Sequence, residues 1–389
     1  MIQYTVLTLP MFVSLFWSFA LFADLKREER PRLVMAIFML FSAILYLGHA
    51  VYFSRSYEMY TLMDPLYTFA SLSVFPLFYI YVWILTNKSG FKKYHLLHFT
   101  PALFFSSVTI VLFSLLTREE LNAYIHITVY KEKADFLFSP AARVQMFLYT
   151  MARVVFAVQI VIFVCLSWRM ISSYDKKIKD FYASTEERTL TWARNMVIAM
   201  VIAALFSLLV NSIGKAFFVE DYNFLIIPSL IFSIVLFSIG LLSFKQYYYI
   251  THYETDILKE RSISSNHNTI EATREKLKKE LIILLEEGEI FRKTDLRITD
   301  ISSELKTNRS YISGIINTEF NSTFSDLINK YRVEYSKNLL LDSRSFILEY
   351  ISEESGFASI NSFLRAFKKI TGTTPGNFRK QNKKESLLN

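Results

Sequence analysis

The sequence predicts an all-α protein in which a bundle of membrane-spanning helices precedes a smaller helical domain. Of its 389 residues, 52% are hydrophobic and only 9 are glycine, a composition that favours long helices over loop-rich or all-β structures. Apolar runs of about 18 or more residues recur through the first two thirds of the chain. After them the chain becomes polar and basic. We therefore expect a membrane domain at 1–244, a tether at 245–270 and a helical domain at 271–389.

Seven apolar runs are long enough to cross a lipid bilayer as helices. Lipid cannot satisfy exposed backbone groups, so a run of this length is expected to form its own hydrogen bonds as a helix. The predicted spans are Ile2–Ala23, Leu33–Phe53, Leu66–Thr86, Leu96–Leu116, Ala141–Trp168, Asn195–Phe217 and Phe224–Phe244.

The lysines and arginines between the spans predict the orientation of the membrane domain. The first, third and fifth loops hold roughly thirteen basic residues against about four in the other three, and basic loops stay on the cytoplasmic side. The N-terminus is therefore expected outside and the C-terminus in the cytoplasm, across a bacterial inner membrane. The basic residues of the odd loops are Lys26, Arg27, Arg30, Arg32, Lys88, Lys92, Lys93, Arg169, Lys176, Lys177, Lys179, Arg188 and Arg194.

Several polar residues fall inside spans or near their outer ends. Ionisable groups are costly in a membrane and often serve function, which makes Arg153, about ten residues into the fifth run, the clearest case. We expect an outward-facing pocket for a small polar or anionic ligand, formed by Asp64, Arg153, Asn211 and Lys215. The alternative is that Arg153 pairs with an acid or a backbone carbonyl to fix helix packing, while Lys215 extends to the interface.

The segment "RITDISSELKTNRSYISGIINTEF" (Arg297–Phe320) reads as two short helices with a tight break between them. Asn308 is a suitable cap for the second helix, and Ile312, Ile315 and Ile316 give that helix a buried face. Its other face is small and polar. This profile is typical of a helix-turn-helix, whose second helix lies in the major groove of DNA. The outward residues include Arg309, together with Ser310, Ser313 and Asn317, which are expected to contact bases.

The segment "FILEYISEESGFASINSFLRAFKKITG" (Phe346–Gly372) repeats this plan. Gly356 lies where the backbone needs a positive φ to turn tightly. Phe363 and Phe367 face inward, whereas Asn361, Ser362, Arg365 and Lys369 face outward. Arginine and asparagine side chains can each bond two atoms of one base. A helix between the two units would set both recognition helices into successive grooves of one DNA face.

Residues 271–381 resemble the DNA-binding domain of AraC-type (AraC/XylS) transcription regulators. The resemblance is strongest in "GF" at Gly356–Phe357 and in "SFLRAFKKITGTTPGNFRK" at Ser362–Lys380. It implies a seven-helix domain with two DNA-binding units. It also implies base contacts at Ser310, Ser313 and Gly314 in the first unit, and at Ile360, Asn361, Ser362 and Arg365 in the second.

Four positions depart from the pattern of that family, among them Ser302 and Ser336, which stand where alanine is common. Gly314 stands where arginine is common, and Lys306 replaces the usual glycine of the turn. The first unit is therefore expected to read few bases. Phosphate contacts are the natural role of the basic residues around the two recognition helices. Those predicted to make them are Arg309, Arg332, Lys368, Lys369, Arg379 and Lys380.

Together these features predict a one-component transcription regulator whose partners are double-stranded DNA, the membrane and a small ligand. Paired DNA half-sites favour a homodimer. Two alternatives stay open: a transporter or channel with a regulatory helical tail, and a regulator that its spans merely anchor. An enzyme is not expected, because the chain has no glycine-rich phosphate loop, HExxH or GxSxG motif. No cofactor and no metal are expected.

Overall fold

A computed structural model describes residues 2–25, 30–87, 91–185, 188–213, 218, 222–245, 272–342 and 344–388. All regular elements in these ranges are helical, and their one β-type pairing is an isolated antiparallel bridge between Tyr182 and Arg297. The prediction of an all-α protein is confirmed.

The chain divides into two compact units. The membrane unit comprises Met1–Ile171 and Leu190–Tyr248, and the second unit comprises Ser172–Thr189 and Tyr249–Asn389. The sequence analysis placed 172–189 in a loop of the membrane domain, whereas the structure groups this segment with the C-terminal helices. Most of the predicted tether at 245–270 lies outside the described residues.

Six helices of the membrane unit are long and apolar enough to cross a bilayer, when Lys93–Leu115 is taken as one helical stretch. They coincide with six of the seven predicted spans. The seventh predicted span, Asn195–Phe217, falls on a helix whose described apolar part, Thr191–Ser207, is shorter than the other six. The end of this predicted span lies outside the described residues. The α-helices are α1 (Ile2–Ala23), α2 (Arg30–Phe53), α3 (Tyr57–Thr86), α4 (Thr100–Leu115), α5 (Arg118–Tyr124), α6 (Pro140–Lys179), α7 (Thr191–Ile213) and α8 (Ile226–Phe244).

The membrane unit packs α1 and α3 on either side of α2, and α8 against α1. The close approach of α1 and α8 depends on Gly240, because a Cβ there would lie 2.2 Å from the ring of Trp17. Large apolar side chains remain on the outside, among them Phe19 (75% exposed) and Ile234 (64% exposed). Water does not favour such a surface, whereas a lipid environment does.

The second unit is built from seven α-helices among the described residues. A core of isoleucine and leucine side chains lies under the first pair of short helices, and a core rich in phenylalanine, including Phe363 and Phe367, lies under the second pair. A longer helix, α12, contacts both pairs. The helices are α9 (Ala272–Glu286), α10 (Ile298–Glu304), α11 (Arg309–Glu319), α12 (Phe324–Leu341), α13 (Leu348–Glu354), α14 (Ile360–Thr371) and α15 (Pro375–Leu388).

Candidate nucleic-acid interface and membrane cavity

The first helix pair, α10 and α11, has the geometry of a helix-turn-helix. Lys306 makes the turn with a φ of 50°, in the left-handed region. Asn308 then caps α11, because its Oδ1 accepts a hydrogen bond from the backbone N–H of Ser310 at 2.9 Å. Ile312 is fully buried beneath the helix. The cap and the buried face together fix which side of α11 faces outward.

The outward face of α11 is small and neutral. Ser310 and Asn317 are exposed and Ser313 is half-buried, with the Nδ2 of Asn317 donating to the Oγ of Ser313 at 3.3 Å. A Cβ added to Gly314 would meet nothing within 4 Å. These residues form one shallow polar stripe. It offers hydroxyl and amide groups to a groove, and no positive charge beyond that of Arg309 at the start of the helix.

The second pair, α13 and α14, turns at Gly356 with a φ of 80°. A Cβ at this position would lie 2.4 Å from the carbonyl oxygen of Arg292, so only glycine fits. The next helix begins with a capping box: the N–H of Ser362 donates to Ser359 Oγ at 3.2 Å, and the N–H of Ser359 donates to Ser362 Oγ at 3.1 Å. The hydroxyl of Ser362, one of the predicted base contacts, is therefore engaged in holding the helix start.

The outward face of α14 is basic. Asn361 and Arg365 are exposed and Ile360 is half-buried, while Phe363 and Phe367 on the opposite face are fully buried. Lys368 and Lys369 extend the positive charge towards the end of the helix, and both are exposed. This helix therefore presents a guanidinium, an amide and two ammonium groups on one side.

The six predicted phosphate contacts differ in their surroundings. Lys368 and Lys380 are exposed, and the Nζ of exposed Lys369 lies 2.6 Å from Asp326 Oδ1. Arg379 is half-buried and donates from Nη2 to the Phe346 carbonyl at 2.6 Å. The guanidinium of half-buried Arg309 lies 5.4 Å from the centre of the Phe181 ring. These five basic groups lie at or near the surface.

Arg332, the sixth of these residues, lies inside the domain. It is 1% exposed, and its guanidinium donates to the carbonyl of Phe291 at 2.8 Å and to that of Lys293 at 2.8 Å. Burial lowers the pKa of the Arg332 guanidinium to about 10. The guanidinium is therefore not on the surface, where the sequence analysis placed it. Its role is to tie α12 to the chain between α9 and α10.

Residues 180–185, here called the clasp segment, were missed by the sequence analysis. Phe181, Tyr182 and Ala183 are each 1% exposed. The N–H of Ala183 donates to the Leu296 carbonyl at 3.0 Å, and the carbonyl of Phe181 accepts from the Ile298 N–H at 3.0 Å. An aromatic pair inside a basic loop was the available signal, because a loop with no packing partner has little reason to carry one.

The membrane unit contains a cavity of about 290 Å³ among its helices. Of the four residues predicted to form a ligand pocket, Asp64 and Arg153 line this cavity. The side chain of Asn211 and all of Lys215 lie outside the described residues. Helices α2, α3, α6, α7 and α8 all contribute to its wall, with Phe38, His49, Tyr67, Phe75, Tyr149, Ile160, Met200, Ser207, Phe232 and Ile239 among the lining residues.

The polar groups of the cavity contact one another. Arg153 donates from Nη2 to the Tyr149 hydroxyl at 2.6 Å, and its guanidinium carbon lies 4.4 Å from the centre of that ring. His49 Nε2 lies 3.1 Å from the Tyr67 hydroxyl. The carboxylate of Asp64 is buried and accepts a hydrogen bond from Tyr60 at 2.9 Å. An Arg–Tyr pair four residues apart on one helix was recognisable in the sequence, and the His49–Tyr67 pair was not.

Comparison with known proteins gives a match to the C-terminal part of the chain. The family described as "Helix-turn-helix domain" matches residues 301–381. The Msm operon regulatory protein of Streptococcus mutans is 34% identical over 88 residues, which are 23% of this chain and 31% of that protein. An uncharacterized HTH-type transcriptional regulator of Bacillus subtilis, YtdP, is 32% identical over 88 residues, which are 23% of this chain and 11% of that one.

A solved structure of a protein of unknown function from Listeria innocua is 31% identical, covering 26% of this chain and 93% of that one with a TM-score of 0.23. The chain thus spans less than a third of the length of the two curated regulators named above. The family match falls on both helix pairs and on the residues that carried the resemblance in the sequence. The resemblance of the C-terminal domain is confirmed.

Proposed function

We propose that this chain, which carries an AraC-type helix-turn-helix domain at its C-terminus, is a membrane-bound transcription regulator controlled by a small ligand. One observation carries the proposal. Two helix-turn-helix units with polar outward faces stand on the same chain as six helices long and apolar enough to cross a bilayer. The curated relatives named above include proteins described as an operon regulator and a transcriptional regulator, which supports the DNA-binding half.

DNA is read through α11 and α14. Each helix enters a major groove with its outward face, and α12, about 27 Å long at 1.5 Å per residue, holds the two units at a fixed separation. Arg365 and Asn361 supply most of the base discrimination, because their side chains can each make two bonds to one base. Lys368 and Lys380 bind phosphates and contribute affinity without sequence preference.

The membrane unit holds the reader at the inner face of the bilayer. The distribution of lysine and arginine between spans supports a cytoplasmic C-terminus. The outward-facing phenylalanine, leucine and isoleucine side chains of α1, α4 and α8 support contact with lipid. A chromosome can reach the two recognition helices only from the cytoplasmic side.

The cavity of the membrane unit is the place for a signal. It is bounded by five helices and has polar groups gathered around Arg153, features that small-molecule sites share. A ligand changes the activity of the DNA reader only if it binds two states of the bundle with unequal affinity. The signal then needs no phosphate transfer and no second protein.

The test uses the full-length protein in lipid nanodiscs and a random library of double-stranded DNA. Repeated selection is expected to yield one sequence family with two half-sites, each protected in a footprint. A reporter fused after Asn389 is expected to be active only in the cytoplasm. Recovery of no preferred sequence, or a reporter active outside, would overturn the proposal.

The alternative of simple anchoring predicts a different result in cells. If the membrane unit only anchors the reader, replacing Arg153 leaves promoter occupancy unchanged under every signal tried. If it senses, occupancy changes with the signal in the wild type and no longer changes in the Arg153 variant. Chromosome-wide occupancy measurements on the two strains separate these outcomes.

A further inference from the structure

The cavity of the membrane unit has a polar end and an apolar end. Helices α2 and α3 run antiparallel through the short turn at 54–56, so His49 and Asp64 lie at the same end. Tyr149 packs against the aromatic cluster of that same end, which includes Tyr52 and Tyr60. The far wall is apolar and includes Phe38, Phe75, Ile160, Met200 and Ile239. A ligand that fills the cavity must therefore have one polar head and an apolar body.

Arg153 selects the charge of that head. Its guanidinium has five N–H donors, and one of its nitrogens is bonded to the Tyr149 hydroxyl. Within the described part of the chain, no carboxylate lies within ion-pair distance of Arg153. A guanidinium without a direct ion-pair partner is costly at this depth in a span. A carboxylate on the ligand supplies the charge and matches the guanidinium with two parallel bonds.

Asp64 limits how much negative charge the ligand carries. Its buried carboxylate accepts from Tyr60 and lines the polar end of the same cavity. A second strong negative charge there is opposed by Coulomb repulsion, which the low dielectric of a bundle interior screens poorly. A singly charged carboxylate is therefore favoured over a doubly charged phosphate.

The volume sets the size of the ligand. A cavity of about 290 Å³ takes roughly ten non-hydrogen atoms, if each occupies about the 30 Å³ of a water molecule in the liquid. We propose that the cavity binds a monocarboxylate with an apolar body of this size, a medium-chain fatty acid being the simplest example. Its regulatory consequence rests on the proposed function, whereas binding itself does not require DNA.

Octanoate, with ten non-hydrogen atoms, is the probe. Its binding to the full-length protein in nanodiscs is measured by calorimetry beside octanol and octylamine. Octanoate is expected to bind at least tenfold more tightly than either. Arg153→Gln is expected to lose at least tenfold in affinity for octanoate. Arg153→Lys, which keeps the charge but not the paired bonds, is expected to fall between. Arg143→Gln, on the same helix but outside the cavity wall, is the matched control and is expected to bind as wild type.

Equal binding of octanol and octanoate, or unchanged octanoate affinity in both Arg153 variants, would overturn the proposal. DNA binding by the same preparations, measured without octanoate, separates the two ideas. Octanoate binding without DNA binding leaves the cavity proposal standing and removes the proposed function. DNA binding without octanoate binding leaves the proposed function standing and removes the cavity proposal.

The clasp segment carries a second inference that does not depend on the cavity. It contacts the starts of three helices of the second unit: its backbone pairs with residues 296–298 before α10, its Phe181 ring lies under Arg309 at the start of α11, and Ser325 Oγ in α12 donates to the Ala183 carbonyl at 2.8 Å. Ser184 also accepts a bond from the buried Arg332. The contacts with residues 296–298 and Arg309 belong to the first helix-turn-helix unit, and those with Ser325 and Arg332 are made to α12.

Burial makes this contact strong. Undocking the segment would expose the two buried aromatic side chains of Phe181 and Tyr182 and would leave backbone groups of residues 181, 183, 296 and 298 without their partners. The clasp segment is thus not a loosely docked strand. We infer that it is a structural part of the first DNA-reading unit, which is incomplete without a segment contributed from between α6 and α7.

This assignment gives a route for a signal. Helix α6 is continuous from Pro140 to Lys179, carries Arg153, and leads at its C-terminal end into the clasp segment. A shift of α6 along its axis must move Phe181, which follows the C-terminal end of that helix. The contact between the Phe181 ring and the guanidinium of Arg309 would change with it. The first unit is therefore expected to respond most directly to α6, because the clasp segment contacts residues at the starts of α10 and α11.

Footprinting of the full-length protein on its selected duplex tests the inference. Phe181→Ala removes the ring, and Ala183→Pro removes the N–H that bonds Leu296; both are expected to lower protection of one half-site at least fivefold and leave the other unchanged. Ser325→Ala is a milder variant that keeps the ring and the backbone pairing, and is expected to show a smaller change at the same half-site. Phe91→Ala, in another loop, is the control.

Two results would overturn the inference. Equal loss at both half-sites would mean that the clasp supports the domain as a whole rather than the first unit. Wild-type protection in both Phe181→Ala and Ala183→Pro would mean that the first unit folds and reads DNA without it.

Discussion

The two helix-turn-helix units share a plan and differ in how their turns are made. In the second unit, Gly356 is buried against the backbone of Arg292 and has a φ of 80°. In the first unit, the turn residue is Lys306, which has an exposed side chain and a φ of 50°. The turn conformation alone therefore does not demand glycine. The close approach of a second backbone does, and only the second unit has it.

The recognition helices of the two units differ in the charge of their outward faces. The outward face of α11 is small and nearly neutral, while that of α14 carries Arg365 and two lysines. The first unit gains its order from the clasp segment and the buried Arg332. The second gains it from its own phenylalanine core and a capping box. This contrast supports the proposals that the second unit reads sequence and that the first unit receives the signal.

The largest effect is expected from Gly356→Ala. The new Cβ meets the Arg292 carbonyl at 2.4 Å, and alanine is strained at this φ. We expect a loss of more than about 2 kcal/mol in the free energy of opening of the second unit. Hydrogen exchange of peptides from α13 and α14 in the full-length protein measures it. Gly376→Ala, with open space around the new Cβ, is the control. Equal exchange in both variants would show that the backbone contact is not limiting.

The next largest effect is a difference in base discrimination between the two recognition helices. Arg365→Ala is expected to lose about 1–3 kcal/mol of discrimination at one base pair of the selected duplex. Asn317→Ala, on α11, is expected to lose less than about 1 kcal/mol, because its amide already bonds Ser313. Competition binding against single-base variants of the duplex gives both values. A larger loss for Asn317 than for Arg365 would reverse the assignment of the two units.

Local features of the helical domain could be predicted from its sequence. Asn308 and the buried isoleucines of α11 follow from capping chemistry and helical spacing, and both are present in the structure. The positive φ at Gly356 follows from the tight turn between its two helices. Asp64 and Arg153 follow from the cost of charge inside a span, and both line the cavity. Each of these rests on neighbours within a few positions of the residue concerned.

Features that depend on distant segments could not be predicted. The clasp segment pairs with residues more than a hundred positions away. Its aromatic pair indicates that the loop has a packing partner, but no local pattern identifies that partner. The burial of Arg332 is a consequence of the same packing, because its carbonyl partners lie about forty positions earlier in the chain. The capping box that Ser362 forms with Ser359 was also not predicted, although both residues lie in the same helix start.

A smaller effect is expected from the lysines proposed to bind phosphate. Lys380→Ala should weaken binding to all duplexes alike and reduce the slope of log affinity against log salt by about 0.9. Lys369→Ala should reduce the slope less, because Lys369 is paired with Asp326 at 2.6 Å in the absence of DNA and must exchange one anion for another. Titrations of both variants at four salt concentrations test this order. Equal slopes for Lys369→Ala and Lys380→Ala would mean that the ion pair does not compete with DNA.

The smallest effect concerns the turn of the first unit. Lys306→Gly relieves the positive φ of a residue with a side chain, but glycine also loses more backbone freedom on folding. Since the left-handed conformation costs a non-glycine residue about 1–2 kcal/mol, a net gain of about 0.5 kcal/mol is expected in the free energy of opening of α10 and α11. Hydrogen exchange of peptides from these two helices measures the gain, with Lys306→Ala as the control that keeps the strain. If Lys306→Ala stabilises the unit as much as Lys306→Gly, loss of the charge and not relief of the turn is the cause, and the contrast between the two turns disappears.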